Sequence, residues 1–168
     1  MTAIAFDRTS SSSASALQRA LYAIVATDSS LLATALRVVL ALVFFPHGAQ
    51  KLFGWFGGYG FSATLGYFSS MGIPVVFGVL AIAAEALGAV ALIAGIGTRI
   101  AAFGLAVTMA VAALMVHAPF GFFMNWFGNQ KGEGVEYHIL AIAVAATVMV
   151  LGGGRWSVDR AIARKIAR

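Results

Sequence analysis

Apolar residues in this chain gather into four long runs, without the strict alternation of half-buried strands. The runs cover about residues 31–50, 74–96, 98–117 and 136–151. A hydrocarbon core of about 30 Å takes roughly 20 residues of helix, so each run reads as a membrane span. The fourth is short, which implies either a first turn that starts earlier or a helix standing nearly upright. Polar and helix-breaking residues mark the ends. Asp28-Ser29-Ser30 offers side-chain oxygens to the free amides at the start of the first run. Pro74 stands where a missing N–H is harmless, Pro119 closes the third run, and Gly152-Gly153-Gly154 stops the fourth.

The connecting segments predict an organisation in three parts. Residues 1–30 form an N-terminal segment with a Ser-rich stretch at 9–15 and a weakly amphipathic piece at 14–26 suited to a membrane interface. The apolar stretch at 20–26 is too short for a signal peptide, cations are few and a span follows directly. Residues 31–154 carry the four spans, and 155–168 form a basic tail. Between the first two spans runs Phe53-Gly54-Trp55-Phe56-Gly57-Gly58-Tyr59-Gly60-Phe61, and residues 120–135 between the third and fourth are again aromatic. With four spans, both loops lie on one side. Small residues recur every four positions at Ala84 and Gly88, at Ala102, Ala106 and Ala110, and at Ala141 and Ala145, which lets helix backbones approach closely in lipid. The expected fold is therefore all-α, an integral membrane four-helix bundle.

Composition narrows the class. Of 168 residues, 61% are apolar and 10% charged, and the mean hydropathy is +0.92. Soluble domains run at about 45–50% and 25%, so a soluble enzyme, a disordered tail and a nucleic-acid module are excluded. The net charge of +5 is concentrated at one place: Arg155, Arg160, Arg164, Lys165 and Arg168 stand against Asp159 alone. With Arg8, Arg19 and Arg99 they mark one side of the membrane, while only Lys51 and Lys131 fall on the other. Cations near span ends favour the cytoplasm, so both termini are expected there and the two aromatic loops outside. Trp55, Trp126 and Trp156 fall at expected interfaces. The absence of Cys removes disulfides, iron–sulfur clusters and thiol chemistry.

Few ionisable residues fall inside the spans: Arg37 in the first, Glu85 in the second, and His47, His117 and His138 near span ends. Each needs a partner, water or neutralisation at that depth. All three His are expected at the outer level of the membrane. Arg37, ten residues before His47, lies some 15 Å deeper by a rise of about 1.5 Å per residue. Glu85, eleven residues after Pro74, is expected at a similar depth, so Arg37 and Glu85 are expected to pair across the first two helices. Two readings stay open. In one, that pair fixes helix register and the His are interface residues. In the other, the imidazoles line a pocket opening outward, with Glu136, Gln50 or Lys51 nearby, Arg37 and Glu85 as its polar floor, and walls from Phe44, Phe45, Phe120, Phe122, Phe123 and Trp126.

Such a pocket suits proton exchange, since His titrates in the physiological range and a desolvated Glu can be raised toward it. It also suits a quinone head group, which needs hydrogen-bond donors and apolar walls. Alternatively His47, His117 and His138 could ligate a transition metal such as Zn, Cu or Fe, or two of them a haem.

The residues also resemble a known family. An Arg in the first span, then His47-Gly48-x-x-Lys51-Leu52-Phe53-Gly54 and the aromatic Gly-rich loop, Gly72-Ile73-Pro74, Glu85, Arg99 opening the third span and Glu136-x-His138 opening the fourth resemble the DoxX family, over roughly residues 31–159. The resemblance implies a four-helix integral protein of the bacterial cytoplasmic membrane, like a subunit of thiosulfate:quinone oxidoreductase and quinol oxidase complexes, with links to redox and oxidative-stress systems. Arg37, Gly48, Lys51, Glu85 and Glu136 match the shared pattern. The expected function is a redox-associated subunit whose site meets quinone, quinol or the protons exchanged with them, next to a larger membrane redox complex. Metal or haem binding, and a non-catalytic assembly role, are the alternatives.

Overall fold

A computed structural model describes residues 15–167, so Arg8, most of the Ser-rich stretch and Arg168 lie outside the described residues. Among these, the regular secondary structure is entirely helical. Helix α1 (Ala16–Val25) starts on a reciprocal cap in which Ser15 and Gln18 each bond the other's backbone amide. Helix α2 (Leu31–Phe53) starts at Ser30, whose hydroxyl accepts from the Ala33 amide at 3.1 Å, while Asp28 accepts from the Ser30 amide. Helices α3 (Gly60–Ser70), α4 (Val75–Ala94) and α5 (Thr98–Ala112) follow, then α6 (Glu136–Leu151) and α7 (Val158–Ile166).

Three of these segments are long and apolar enough to cross a membrane: Leu31–Phe53, Val75–Ala94 and Thr98–Phe120. Helix α6 starts at Glu136 with no earlier turn and, at 16 residues, is shorter. Beyond the aromatic loop expected at residues 53–61, the connection to the second span contains α3, a helix the sequence reading did not place. Its Gly, Ser and Thr content masked the helix, which is held by packing of Leu65 and Phe68 against Gly78 of α4.

Helix α2 packs on α4, α4 on α5, α5 on α6, and α6 closes the ring on α2, each antiparallel to its neighbours. The shared core includes Leu40, Phe44, Leu92, Leu105, Ala145 and Val148. The rows of small residues lie partly at these contacts: Ala102, Ala141 and Ala145 are buried. The tightest crossing is Gly48 of α2 on α4, where an added Cβ would lie 2.5 Å from the Ala86 Cα. No other residue fits there. This crossing sets the register of α2 against α4, and it leaves the first turns of α4 projecting beyond the end of α2 against α3.

One end of the ring is stitched by buried polar side chains. Arg37, 2% exposed, donates its Nε to the Gly153 carbonyl at 2.8 Å, and its terminal nitrogens to the carbonyls of Leu92, Ile93 and Trp156. Leu92 and Ile93 belong to the last turn of α4, whose carbonyls run out of helical donors, Leu92 keeping only the Gly95 cap amide at 3.2 Å, and carry the negative end of the helix dipole. Asp159 of α7 does the opposite for α5: its two oxygens accept from the amides of Gly97 and Thr98 at 2.8 Å each. Arg99 reaches the carbonyls of Met149, in the last turn of α6, and Ala26. The turn between α4 and α5 needs Gly95, which adopts φ 69° where an added Cβ would also lie 2.6 Å from Ser157.

This overturns the expected Arg37–Glu85 pair. With α2 and α4 antiparallel and Gly48 seated on Ala86, Arg37 meets the end of α4 and Glu85 meets the level of Lys51. The depths counted from His47 and from Pro74 do not refer to one surface, because α4 extends farther out than α2.

Replacing Asp159 by Ala removes both acceptors of the α5 amides while leaving the spans intact. Hydrogen bonds to a charged group are worth about 1.5–3 kcal/mol each, so thermal unfolding in mild detergent should show a loss of about 2 kcal/mol or more. An unchanged transition would remove the stitching role assigned to this side chain. Gly48→Ala should destabilise by about 1–3 kcal/mol through overpacking, measured in the same way.

Candidate functional site

The opposite end of the ring carries the remaining ionisable residues. Glu85, 2% exposed, would be an isolated buried carboxylate but for Lys51 in the last turn of α2, whose Nζ lies 2.5 Å from its Oε2. Lys51 keeps 27% of its side chain exposed, so the pair is buried at one partner only. His47 sits one turn earlier on α2, directly after Pro46, and its ring lies 6.3 Å from Phe44 and 6.4 Å from Tyr137 of α6.

His117 reaches the same region through an irregular helix end. A regular helix would press the Pro119 ring against the Met115 carbonyl and leave that carbonyl without a donor. The backbone instead widens into a π turn over Ala113–His117 and tightens into a 3-10 turn over Ala118–Phe120. His117 then packs against His138, with ring centroids 4.1 Å apart and the rings tilted by 43°, and its Nδ1 lies 2.8 Å from the Glu133 carbonyl oxygen. His138 is buried, 5.4 Å from the neighbouring Tyr137 ring. The Tyr137 hydroxyl is buried without a hydrogen-bond partner, and the His138 ring has the Gly134 backbone within reach.

These groups border one cavity of about 1210 Å³, lined by His47, Lys51, Glu85, His117, Tyr137 and His138 and otherwise almost wholly by apolar side chains. The structure thus brings together three of the expected imidazoles with Lys51 and Glu85. It places four other candidates elsewhere. Arg37 is at the far end. Gln50 donates to the Phe56 carbonyl at 3.2 Å and holds the loop after α2. Glu136 accepts from the Met124 amide at 3.1 Å and organises the 120–135 segment. Trp126 is 79% exposed and away from the lining. Of the expected aromatic walls, Phe44 lines the cavity while Phe120, Phe122 and Phe123 border a separate shallow depression with Gln130 and Lys131. Among the described residues, no three His, Cys, Asp or Glu side chains gather closely enough to hold a metal ion.

Tyr137 was missed by sequence reasoning. The only available signal was its place beside His138 in the first turn of α6, which reads equally well as interface anchoring.

Residues 32–118 match the DoxX family model, just over half of the chain. The chain belongs to the DoxX family. A protein of Bacillus subtilis (strain 168) named "Putative oxidoreductase CatD" is 33% identical over 87 residues, which is 51% of this chain and 60% of that protein's length. The chain therefore spans less than two thirds of that relative. No solved structure matches the chain. The DoxX match takes in Arg37, His47, Gly48, Lys51, Glu85 and His117 and stops before Glu136, Tyr137 and His138. The resemblance expected as far as residue 159 is carried by the family model to residue 118.

The Lys51–Glu85 pair lends itself to a double-mutant cycle. Lys51→Met and Glu85→Gln should each destabilise the protein, and the double variant should be less destabilised than the sum, by about 1–3 kcal/mol of coupling, read by thermal unfolding in detergent. Strict additivity would show that the pair contributes no coupling.

Proposed function

We propose that this DoxX-family chain is a redox-associated subunit of the bacterial cytoplasmic membrane whose cavity binds the head group of a quinone or quinol and handles its protons. The observation that carries the reading is a buried, unpartnered polar atom, Tyr137 Oη, beside the buried His138 imidazole in the lining of a cavity whose other walls are mostly apolar. A buried polar group is normally hydrogen-bonded, and an apolar pocket with a few such groups is the usual form of a small-molecule site. The redox association is supported by the family and by the oxidoreductase name of the Bacillus relative.

A quinone supplies two carbonyl oxygens that take up protons as its ring accepts electrons. The chain's own groups suit that chemistry. Tyr137 has a hydroxyl to donate, and His138 has a ring nitrogen that donates or accepts according to its tautomer. Lys51 holds Glu85 in place and puts a cation beside the cavity. His138 packs against His117, and Glu133 behind it is exposed, so the two imidazoles span the distance from the buried site to the protein surface. Arg37 has no part in this, since its donors are committed to backbone carbonyls.

The finer topology belongs to the same reading. Helices α2, α4, α5 and α6 form four spans, α6 being short enough to stand nearly upright. Arg155, Arg160, Arg164 and Lys165 lie at the Arg37 end and Lys51 and Lys131 at the other, so the Arg37 end and both termini face the cytoplasm and the cavity lies toward the outer side. Electrons come from a larger membrane redox complex, with this chain as its quinone-facing part.

The test is binding of a short-chain ubiquinone analogue to the protein in lipid nanodiscs. Tyr137→Phe should weaken binding up to about tenfold, the worth of one hydrogen bond, whereas Trp126→Leu should leave it unchanged. Equal affinity in the parent and Tyr137→Phe proteins would overturn the reading. A Soret band or stoichiometric metal in the purified protein would also overturn it. Intact function after neutral replacement of Glu85 and the three His would replace it with a non-catalytic assembly role.

A further inference from the structure

The cavity is not a closed chamber beneath the histidines. Its lining continues along the outer seam of α4 and α5, through Ala84, Gly88 and Gly104, to Ile96 and Ile100 near the opposite end of the ring. Small side chains make the floor of this seam: a Cβ added at Gly104 would lie 3.2 Å from that of Ala84, and one at Gly88 would lie 3.9 Å from that of Ala101. Larger, exposed apolar residues make the rims, with Leu87 at 65%, Ile100 at 62% and Phe103 at 56% exposure. The seam holds no unsatisfied polar group, because the Thr108 hydroxyl donates to the Gly104 carbonyl at 2.9 Å. From Ile100 to Ala112 along α5 is about 18 Å at about 1.5 Å per residue, and the π turn carries on from there to His117, together most of the depth of a hydrocarbon core.

Resting on the head-group reading above, we infer that the ligand is membrane-borne, enters sideways from the lipid between α4 and α5, and lays a single long hydrocarbon chain in this groove while its head meets Tyr137, His138 and Lys51. Polarity is confined to one end of a continuous space. At about 1210 Å³ that space exceeds the roughly 300–1,000 Å³ of an ordinary small-molecule pocket, so a head group alone leaves most of it to a chain. The apolar groove sets preference for chain length, and the polar end sets preference for the head.

The experiment compares quinones carrying one isoprene unit and many, at equal mole fraction in nanodiscs, on the parent, Gly104→Leu and Tyr137→Phe proteins. The long-chain quinone should bind the parent at least tenfold more tightly, and Gly104→Leu should abolish that advantage while leaving the short-chain affinity in place. A long-chain quinone with a photoreactive group in its tail, used on the unmodified protein, should label α4 and α5 near Leu87, Ile100 and Phe103, which keeps the inference testable if Gly104→Leu does not fold. Equal affinity for both chain lengths in the parent, or labelling confined to α2 and α6, would overturn the groove while leaving the head-group reading standing. Chain-length preference that survives in Tyr137→Phe, with no loss of affinity for either quinone, would support the groove and overturn the head-group reading.

Discussion

Arg37 is a cation buried among backbone carbonyls, and the architecture depends on how that charge is satisfied. The last carbonyls of a helix have no internal donors and sit at its negative end. Placing a guanidinium there answers two needs at once: the carbonyls gain donors and the cation gains a negative environment, to which the nearby Asp159 carboxylate adds. Arg37 does this for α4, Arg99 for α6, and Asp159 supplies the complementary anion to the amides that open α5. The same contacts draw in the Gly153 and Trp156 carbonyls, so the segment after α6 is anchored on the ring. The ends of three helices are therefore fixed relative to one another by side chains from the helices beside them.

Fixing that end makes the other one available for chemistry. Because Arg37 is occupied at the end of α4, Glu85 is left to Lys51, the one cation in the last turn of α2. The Gly48–Ala86 crossing places that pair beside His47, and the π turn before Pro119 carries His117 onto His138. The bundle thus separates a polar end stitched through its own backbone from a polar end whose side chains, the unpartnered Tyr137 hydroxyl among them, line a cavity.

Much of the fold was legible from sequence because membrane helices must be long, apolar and bounded by residues that satisfy or interrupt the backbone. Ser30, Pro74 and the Gly152–Gly154 run marked their helix ends, and the start of α6 at Glu136 agrees with the apolar run. Helix α3 was hidden because Gly, Ser and Thr weaken its intrinsic preference and its stability comes from contact with α4. The convergence of three imidazoles on one level was readable from helix counting. The partner of Arg37 was not, since spacing gives depth only when every span starts at the same surface, and an arginine side chain can be satisfied by carbonyls that have no signature in sequence. Tyr137 escaped for a related reason: its role depends on what α2 brings opposite it.

The same distinction explains why the seam between α4 and α5 reads differently in sequence and in space. Ala84, Gly88, Ala102, Ala106 and Ala110 at four-residue spacing promise close helix contact, and Ala102 fulfils that promise in the core. Ala84, Gly88 and Gly104 lie on the outer edge of the same contact, where small side chains bring two backbones together and also leave a trough along the surface. Larger residues at these positions would fill the trough. Close packing and an apolar groove leading to the polar end are thus one consequence of the same residues.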